Sequence, residues 1–231
     1  MSTRPEPDLA EETALFSAGA ALVGGVDEVG RGAWAGPVTV GIVTIRAGHP
    51  DAPSGIRDSK LVSRARRRVL APAIDEWAVE SATGDATPAE CDALGMRAAV
   101  ALAASRAIEA LREPPDAVIV DGPLDLLDGR SERLASLVAG HRWRQRPPRV
   151  VPVVKADQRC LSVAAASIVA KVGRDSAMAG LASSFPAFDF EGNVGYPSPS
   201  HQRALFGYGL TAIHRRSWSF VDALRWEDAD R

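Results

Sequence analysis

The chain has 231 residues, 46% of them hydrophobic and 24% charged, with a formal net charge of −2. That is enough sequence to bury a sizeable core in one large domain, or in a domain with a small appendage. The near-neutral total weighs mildly against a polyanionic partner, two cysteines exclude a disulfide framework or a zinc knuckle, and the apolar stretches are broken by Lys, Arg or Gly too early to span a membrane.

The charge is uneven. Arg64, Arg66, Arg67 and Arg68 form one cluster, Arg142, Arg144, Arg146 and Arg149 a second, and His214, Arg215 and Arg216 a third. The clusters near 66 and 144 read as solvated surface. A reducing, cytoplasmic location and a monomer are the default expectations.

Residues 1–12 are polar and carry two prolines, which reads as a frayed terminus. Residues 21–29 are apolar up to Asp27 and Glu28, as in a buried strand with a polar tip. Residues 37–46 (PVTVGIVTIR) alternate and are β-branched, a second strand. Ser63 is placed to cap a helix running to about residue 75, and a short strand follows at 77–83. Thr87-Pro88-Ala89-Glu90 combines a capping threonine, a first-turn proline and a glutamate at the third helical position. This predicts a helix from there to about residue 112, where Pro114-Pro115 ends it. Residues 117–120 form a short apolar strand ending at Asp121-Gly122, and residues 149–154 another, ending at Lys155-Ala156-Asp157. An alanine-rich helix at 161–183 has side chains small enough to pack closely on a sheet. Ser198-Pro199 opens a further helix, with Gly207 and Gly209 at its end.

Three strands followed by alternating helix and strand imply an α/β fold with a mixed sheet covered by helices. Sites on such sheets lie at strand carboxyl ends. Asp27 and Glu28 end the first strand, Asp121 the fourth, and Asp157 follows the fifth. Converging carboxylates raise one another's pKa unless a cation lies among them. All-oxygen donors suit Mg²⁺ or Mn²⁺ rather than zinc, and four carboxylates can hold two such ions about 4 Å apart for displacement at phosphorus. Read one at a time, each acid is better taken as a cap or turn former. Asp27 and Glu28 are adjacent on a strand and share a site only if the chain bends after them. Gly30-Arg31-Gly32 supplies residues suited to a bend.

Asp27-Glu28-Val29-Gly30-Arg31-Gly32 resembles the opening signature of type 2 ribonucleases H, the ribonuclease HII family. The resemblance continues through Gly36-Pro37, Asp58-Ser59-Lys60, Val120-Asp121-Gly122, Lys155-Ala156-Asp157, residues 165–171 with Arg174-Asp175, Gly195-Tyr196, His201 and His214-Arg215-Arg216-Ser217. These blocks follow the family's order from about residue 22 to 222. They imply a ribonuclease H-like fold with a C-terminal helical extension: a flexible segment at 1–20, a catalytic domain at 21–184 and a substrate-binding extension at 185–231.

The resemblance also implies an endonuclease that hydrolyses the RNA strand of RNA–DNA hybrids and cuts 5′ of single ribonucleotides in duplex DNA. By position, Asp27, Glu28, Asp121 and Asp157 look like its metal-binding carboxylates, working with Mg²⁺ or Mn²⁺. Gly30, Arg31 and Gly32 look like the backbone that meets a 2′-hydroxyl, the group that separates RNA from DNA. Tyr196 looks like the tyrosine that packs on the following deoxyribose. Lys60 and Lys171 read as phosphate neighbours, Lys171 equally as a partner of Asp175 four residues on. His201 and His214 read as structural hydrogen-bonding groups. Pro197 after Tyr196 and Trp218 in the last block depart from the usual pattern, which touches substrate grip and C-terminal packing, not the carboxylates.

Overall fold

The computed structural model describes residues 6–122 and 132–224. In chain order the principal elements are α1 (Ala10–Ser17), β1 (Leu22–Val29), β2 (Val38–Arg46), α2 (Arg64–Trp77), β3 (Glu80–Ala86), α3 (Pro88–Leu94), α4 (Met96–Ala110), β4 (Ala117–Asp121), α5 (Glu132–Leu137), β5 (Arg149–Val153), α6 (Ala156–Arg159), α7 (Leu161–Ala182), α8 (Phe190–Asn193) and α9 (Pro199–Tyr208). The strands form one mixed sheet in the order β3-β2-β1-β4-β5. Strands β1, β2 and β3 pair antiparallel, while β4 and β5 run parallel to β1.

The two faces of the sheet are covered differently. On one, Val26, Val38, Val40, Val118 and Val120 pack against the apolar side of α4, including Ala99, Leu102 and Ala103. On the other, α7 lies almost against the backbone. The expectation that its alanines permit close approach holds: Ala164, Ala165, Ala166 and Ala170 are all fully buried. The sheet reciprocates with glycine. A Cβ on Gly41 would stand 2.6 Å from the carbonyl of Ala166, and one on Gly25 would fall on the Ser162–Val163 backbone. Helix and strand therefore meet with no side-chain layer between them at these points.

Caps at three helix starts are those expected. Ser63 accepts from the Arg66 amide, Thr87 and Glu90 form a reciprocal capping box, and Ser198 accepts from the His201 amide. Three expectations need correction. Helix α2 continues to Trp77, because Leu70, Ile74 and Trp77 recur on its buried face and the Trp77 indole donates to the Pro50 carbonyl at 2.8 Å; the third strand therefore begins at Glu80. The helix after Thr87 is two helices, broken at Gly95, whose φ of 76° lies in the left-handed region.

The terminus is also not frayed as far as Glu12. The Leu161 amide donates to the Asp8 carbonyl at 2.8 Å, and the Asp8 amide to that of Arg159 at 2.9 Å. Glu12 is fully buried, its Oε1 accepting from the Ser162 amide and hydroxyl at 2.9 and 2.6 Å. It caps the N-terminus of α7 from 150 residues away.

The segment after α7 packs as an aromatic cluster. Phe188, Phe190, Leu205 and Phe220 gather around Ala35 and Met178, with Trp34 stacked on Phe220 at 4.2 Å between ring centroids. This fastens α8 and α9 to the turn that follows β1. Among the described residues no helix is long and apolar enough to cross a membrane.

Candidate active site

The parallel pairing of β1 and β4 matches Val26 with Val120. Asp27 and Asp121 are thus the next residues on neighbouring strands, on the same side of the sheet as Val23, Ala117 and Ile119, which pack with Val163 of α7. At the end of β5 the chain turns through Lys155, a non-glycine residue with φ 57°, and enters α6. That turn brings the Ala156 amide to Asp121 Oδ1 at 3.0 Å and sets Asp157 in the first turn of α6. Strand ends thereby gather three of the four expected carboxylates at one edge.

Beside them lies a cleft of about 400 Å³, whose lining includes Asp27, Glu28, Gly30, Arg31, Gly32, Lys60, Lys171 and Tyr196. Asp121 and Asp157 stand next to this cleft rather than in its lining, and Lys60 connects the two: its ammonium is 3.7 Å from Asp157 and 3.8 Å from Asp58. Glu28 borders the cleft together with Asp27 and accepts from Arg31 at 3.0 Å. Gly30 takes φ 89°, and a Cβ there would strike the Arg174 guanidinium. Tyr196 meets the same turn, lying 3.8 Å from where a Gly32 Cβ would be. The turn and the tyrosine loop are also joined through backbone, with the Trp34 and Ala35 amides donating to the Gly195 carbonyl at 2.8 and 3.2 Å.

The electrostatics are those of crowded acids. Burial, then the neighbouring Glu28 and Asp157, hold the Asp27 carboxyl well above the usual carboxylate range, against the pull of Lys60. Burial, then Asp58 and Asp121, raise that of Asp157. Burial disfavours the Lys60 ammonium, but Asp58, Asp27, Asp157 and Glu28 outweigh it and raise its pKa. Among the described residues no three carboxylate, imidazole or thiolate groups are gathered tightly enough to cage an ion. The donor chemistry nevertheless fits a hard divalent cation: oxygen ligands only, a buried aspartate with like charges around it, and a lysine ammonium drawn in as partial counterion.

Residues singled out from the sequence divide by role. Lys171 donates to Asp175 at 2.7 Å, the partner expected of it four residues on, and it also borders the cleft, its ammonium 5.8 Å from the Tyr196 ring centroid. His201 and His214 are buried and share a hydrogen bond between their Nε2 atoms at 2.9 Å, away from the carboxylates. Both cysteines are free and buried, and burial pushes the Cys160 thiol up to about 12.

Two residues were not singled out as part of the site. Asp58, only 5% exposed, faces both Lys60 and Asp157; its place in Asp58-Ser59-Lys60 was the available signal. Arg67 corrects the reading of its cluster as solvated surface: it lines the cleft, its side chain 13% exposed.

Comparison with known proteins agrees with this geometry. A family model described as ribonuclease HII matches residues 24–221. Ribonuclease HII of Streptomyces griseus subsp. griseus is 48% identical over 98% of this chain and 90% of its own length. That of Streptomyces avermitilis is 46% identical over 97% and 88%. Among solved structures, ribonuclease H2 from Pyrococcus horikoshii OT3 is similar with a TM-score of 0.68 and 29% identity, covering 88% of this chain and 96% of that one. Bst-RNase HIII in complex with Mn²⁺, at 21% identity and a TM-score of 0.64 over 91% of this chain and 71% of its own, shares the fold. The chain therefore has a ribonuclease H-like fold and belongs to the ribonuclease HII family of metal-dependent endoribonucleases, which cleave the RNA of RNA–DNA hybrids.

Proposed function

We propose that this enzyme also cuts 5′ of a single ribonucleotide embedded in duplex DNA, leaving a 3′-hydroxyl and a 5′-phosphate. Asp27, Glu28, Asp121 and Asp157 would hold two Mg²⁺ or Mn²⁺ ions. The observation that carries the reading is the meeting of the Gly30-Arg31-Gly32 turn, Tyr196 and the strand-end acids around one cleft.

Bound there, the ions would supply an activated water and charge neutralisation at the leaving oxygen. The chain's own residues do the rest. Gly30, at φ 89°, lets the turn close over Arg174, and Gly32, which has no Cβ on the side facing Tyr196, leaves backbone open to a ribose 2′-hydroxyl, the group that distinguishes RNA from DNA. The Tyr196 ring offers an apolar face to the next sugar, which excludes a 2′-hydroxyl there. Lys60 and Lys171 meet flanking phosphates. The extension from residue 185 fixes the tyrosine loop against the turn through the Gly195 carbonyl.

The test is cleavage of a DNA duplex carrying one ribonucleotide, by wild type and by Asp121→Asn, with Mg²⁺ or Mn²⁺. One cut on the 5′ side of the ribonucleotide is expected, reduced at least ~1000-fold in the variant. Equal cutting of an all-DNA duplex would remove the sugar selection and leave a general nuclease on this fold. No cut with either metal would remove the single-ribonucleotide reading and confine the enzyme to longer RNA–DNA hybrids.

A further inference from the structure

Of the arginine cluster on α2, Arg64, Arg66 and Arg68 are exposed, while Arg67 turns inward. Its Nη1 donates to two backbone carbonyls, Ser59 at 2.7 Å and Val62 at 2.6 Å. These carbonyls bracket the turn that carries Lys60. Its Nη2 lies 3.9 Å from Asp175 Oδ2, and the other oxygen of Asp175 accepts from Lys171 at 2.7 Å. One guanidinium thus reaches the backbone that presents one cleft lysine and the carboxylate that holds the other.

We propose that Arg67 is a positioning residue for substrate binding: it fixes the relative placement of the Lys60 and Lys171 ammonium groups, and through them the phosphate grip of the cleft. The inference rests on the reading above that these two lysines meet substrate phosphates. The side chain type matters. A planar fork of five donors can satisfy two carbonyls and face a carboxylate at once, whereas an ammonium on a flexible stem cannot hold all three in fixed geometry. The neighbours leave little freedom. The Ser59 amide donates to Ser167 Oγ at 3.0 Å, so the turn is pinned to α7 on one side and to α2 on the other. Asp175 is itself buried on α7, one turn after Lys171. Without Arg67 the turn loses its link to α2, and Lys171 keeps a partner that is no longer anchored.

The experiment compares KM and kcat on an RNA–DNA hybrid for wild type, Arg67→Ala, Arg67→Lys and Asp175→Asn. Arg67→Ala is also made in the Lys60→Ala/Lys171→Ala background, and each variant is checked for cooperative melting. Arg67→Ala is expected to raise KM ~10-fold with kcat within ~3-fold of wild type, and Arg67→Lys to do nearly the same. In the double-lysine background the further effect should fall below ~2-fold, because the groups being positioned are gone. Asp175→Asn weakens the charge link to both Lys171 and Arg67 but leaves the bonds of Arg67 to the Ser59 and Val62 carbonyls, and should raise KM by a smaller factor.

If Arg67 touched phosphate directly, Arg67→Lys would keep most of the binding and Arg67→Ala would cost the same in both backgrounds. Either result overturns the proposal. Unchanged KM in Arg67→Ala overturns it too, with the reading of the lysines intact. If the double-lysine variant itself binds hybrid as wild type does, that reading fails and this inference falls with it.

Discussion

Two of the regions that bury charge in this molecule do so in opposite ways. Behind the Gly30–Gly36 turn, Arg174 and Arg215 are almost entirely enclosed, and among the described residues neither has a carboxylate hydrogen-bond partner. Arg174 donates to the carbonyls of Pro37, Val194 and Ala35, and Arg215 to those of Gly36 and Arg31. Backbone dipoles at loop carbonyls accept from each guanidinium in a fixed geometry. At the sheet edge the buried group is Asp27, and its surroundings are Glu28, Asp157 and a solvent-exposed lysine. One region is saturated with partners, while the other is short of positive charge. Uncompensated acids of this kind concentrate at functional sites, and on that ground the acids rather than the arginines are read as the site.

The contrast is sharpened most by removing a saturated charge. Arg174→Met keeps the bulk but strands three buried carbonyls, each costing on the order of 1 kcal/mol or more. The expected loss is about 3 kcal/mol, which lowers Tm by roughly 10 °C in a domain of this size. Thermal melting at neutral pH measures it. A shift under a few degrees would mean that the turn relaxes around the hole, and that the saturation is incidental to stability.

The saturated region was also the harder one to read from sequence. Arg174 was visible only as a member of a block resembling a family, and Arg215 only as that and as part of a basic cluster, because their partners are main-chain carbonyls that no side-chain pattern encodes. The apolar strands were legible to within about one residue at β1, β2, β4 and β5, and with them the strand-end positions of Asp27, Asp121 and Asp157. The break at Gly95 was not, since one glycine inside a long apolar helical pattern costs only about 1 kcal/mol and does not decide the outcome locally. Glu12 and Arg67 were misread for one reason: each is polar and set among polar neighbours in sequence, but its partners are tertiary, Ser162 for one and Ser59, Val62 and Asp175 for the other. Long-range satisfaction of a charge leaves no local signature.

The histidine pair gives a smaller and pH-dependent test of the same saturated region. Burial, then His201 and Arg216, lower His214 to about 4 from an ordinary 6.5, and burial lowers His201 as well. A histidine lowered in the folded state binds its proton better when unfolded. Its stabilising contribution is therefore fully present above pH 6.5 and is lost as pH falls from there toward 4. For wild type this predicts a loss of about 1–2 kcal/mol between pH 7.5 and 5. His214→Gln should start less stable at pH 7.5 and show a flatter profile over that window. Parallel profiles would assign the acid sensitivity to other groups.

An effect of opposite sign belongs to the unsaturated region. Asp27 has a folded-state pKa raised well above its ordinary 3.8. Its contribution is thus favourable below the unfolded value and is lost as pH rises through the folded one, leaving a cost at neutral pH. Asp27→Asn removes the charge at nearly constant shape. With a chelator present at pH 7.5 it should be more stable than wild type, and that advantage should fade as pH approaches 4. On the reading that Asp27 is a metal ligand, adding Mn²⁺ should reverse the order, because a cation bound only to the folded state raises the wild-type Tm logarithmically with its concentration above the dissociation constant, whereas the variant has lost a ligand and gains little. If Asp27→Asn is instead the less stable protein in chelator, the fold itself satisfies that carboxylate. The difference between the two buried charges would then be one of degree, and the case for a resident cation at the sheet edge would rest on the donor set alone.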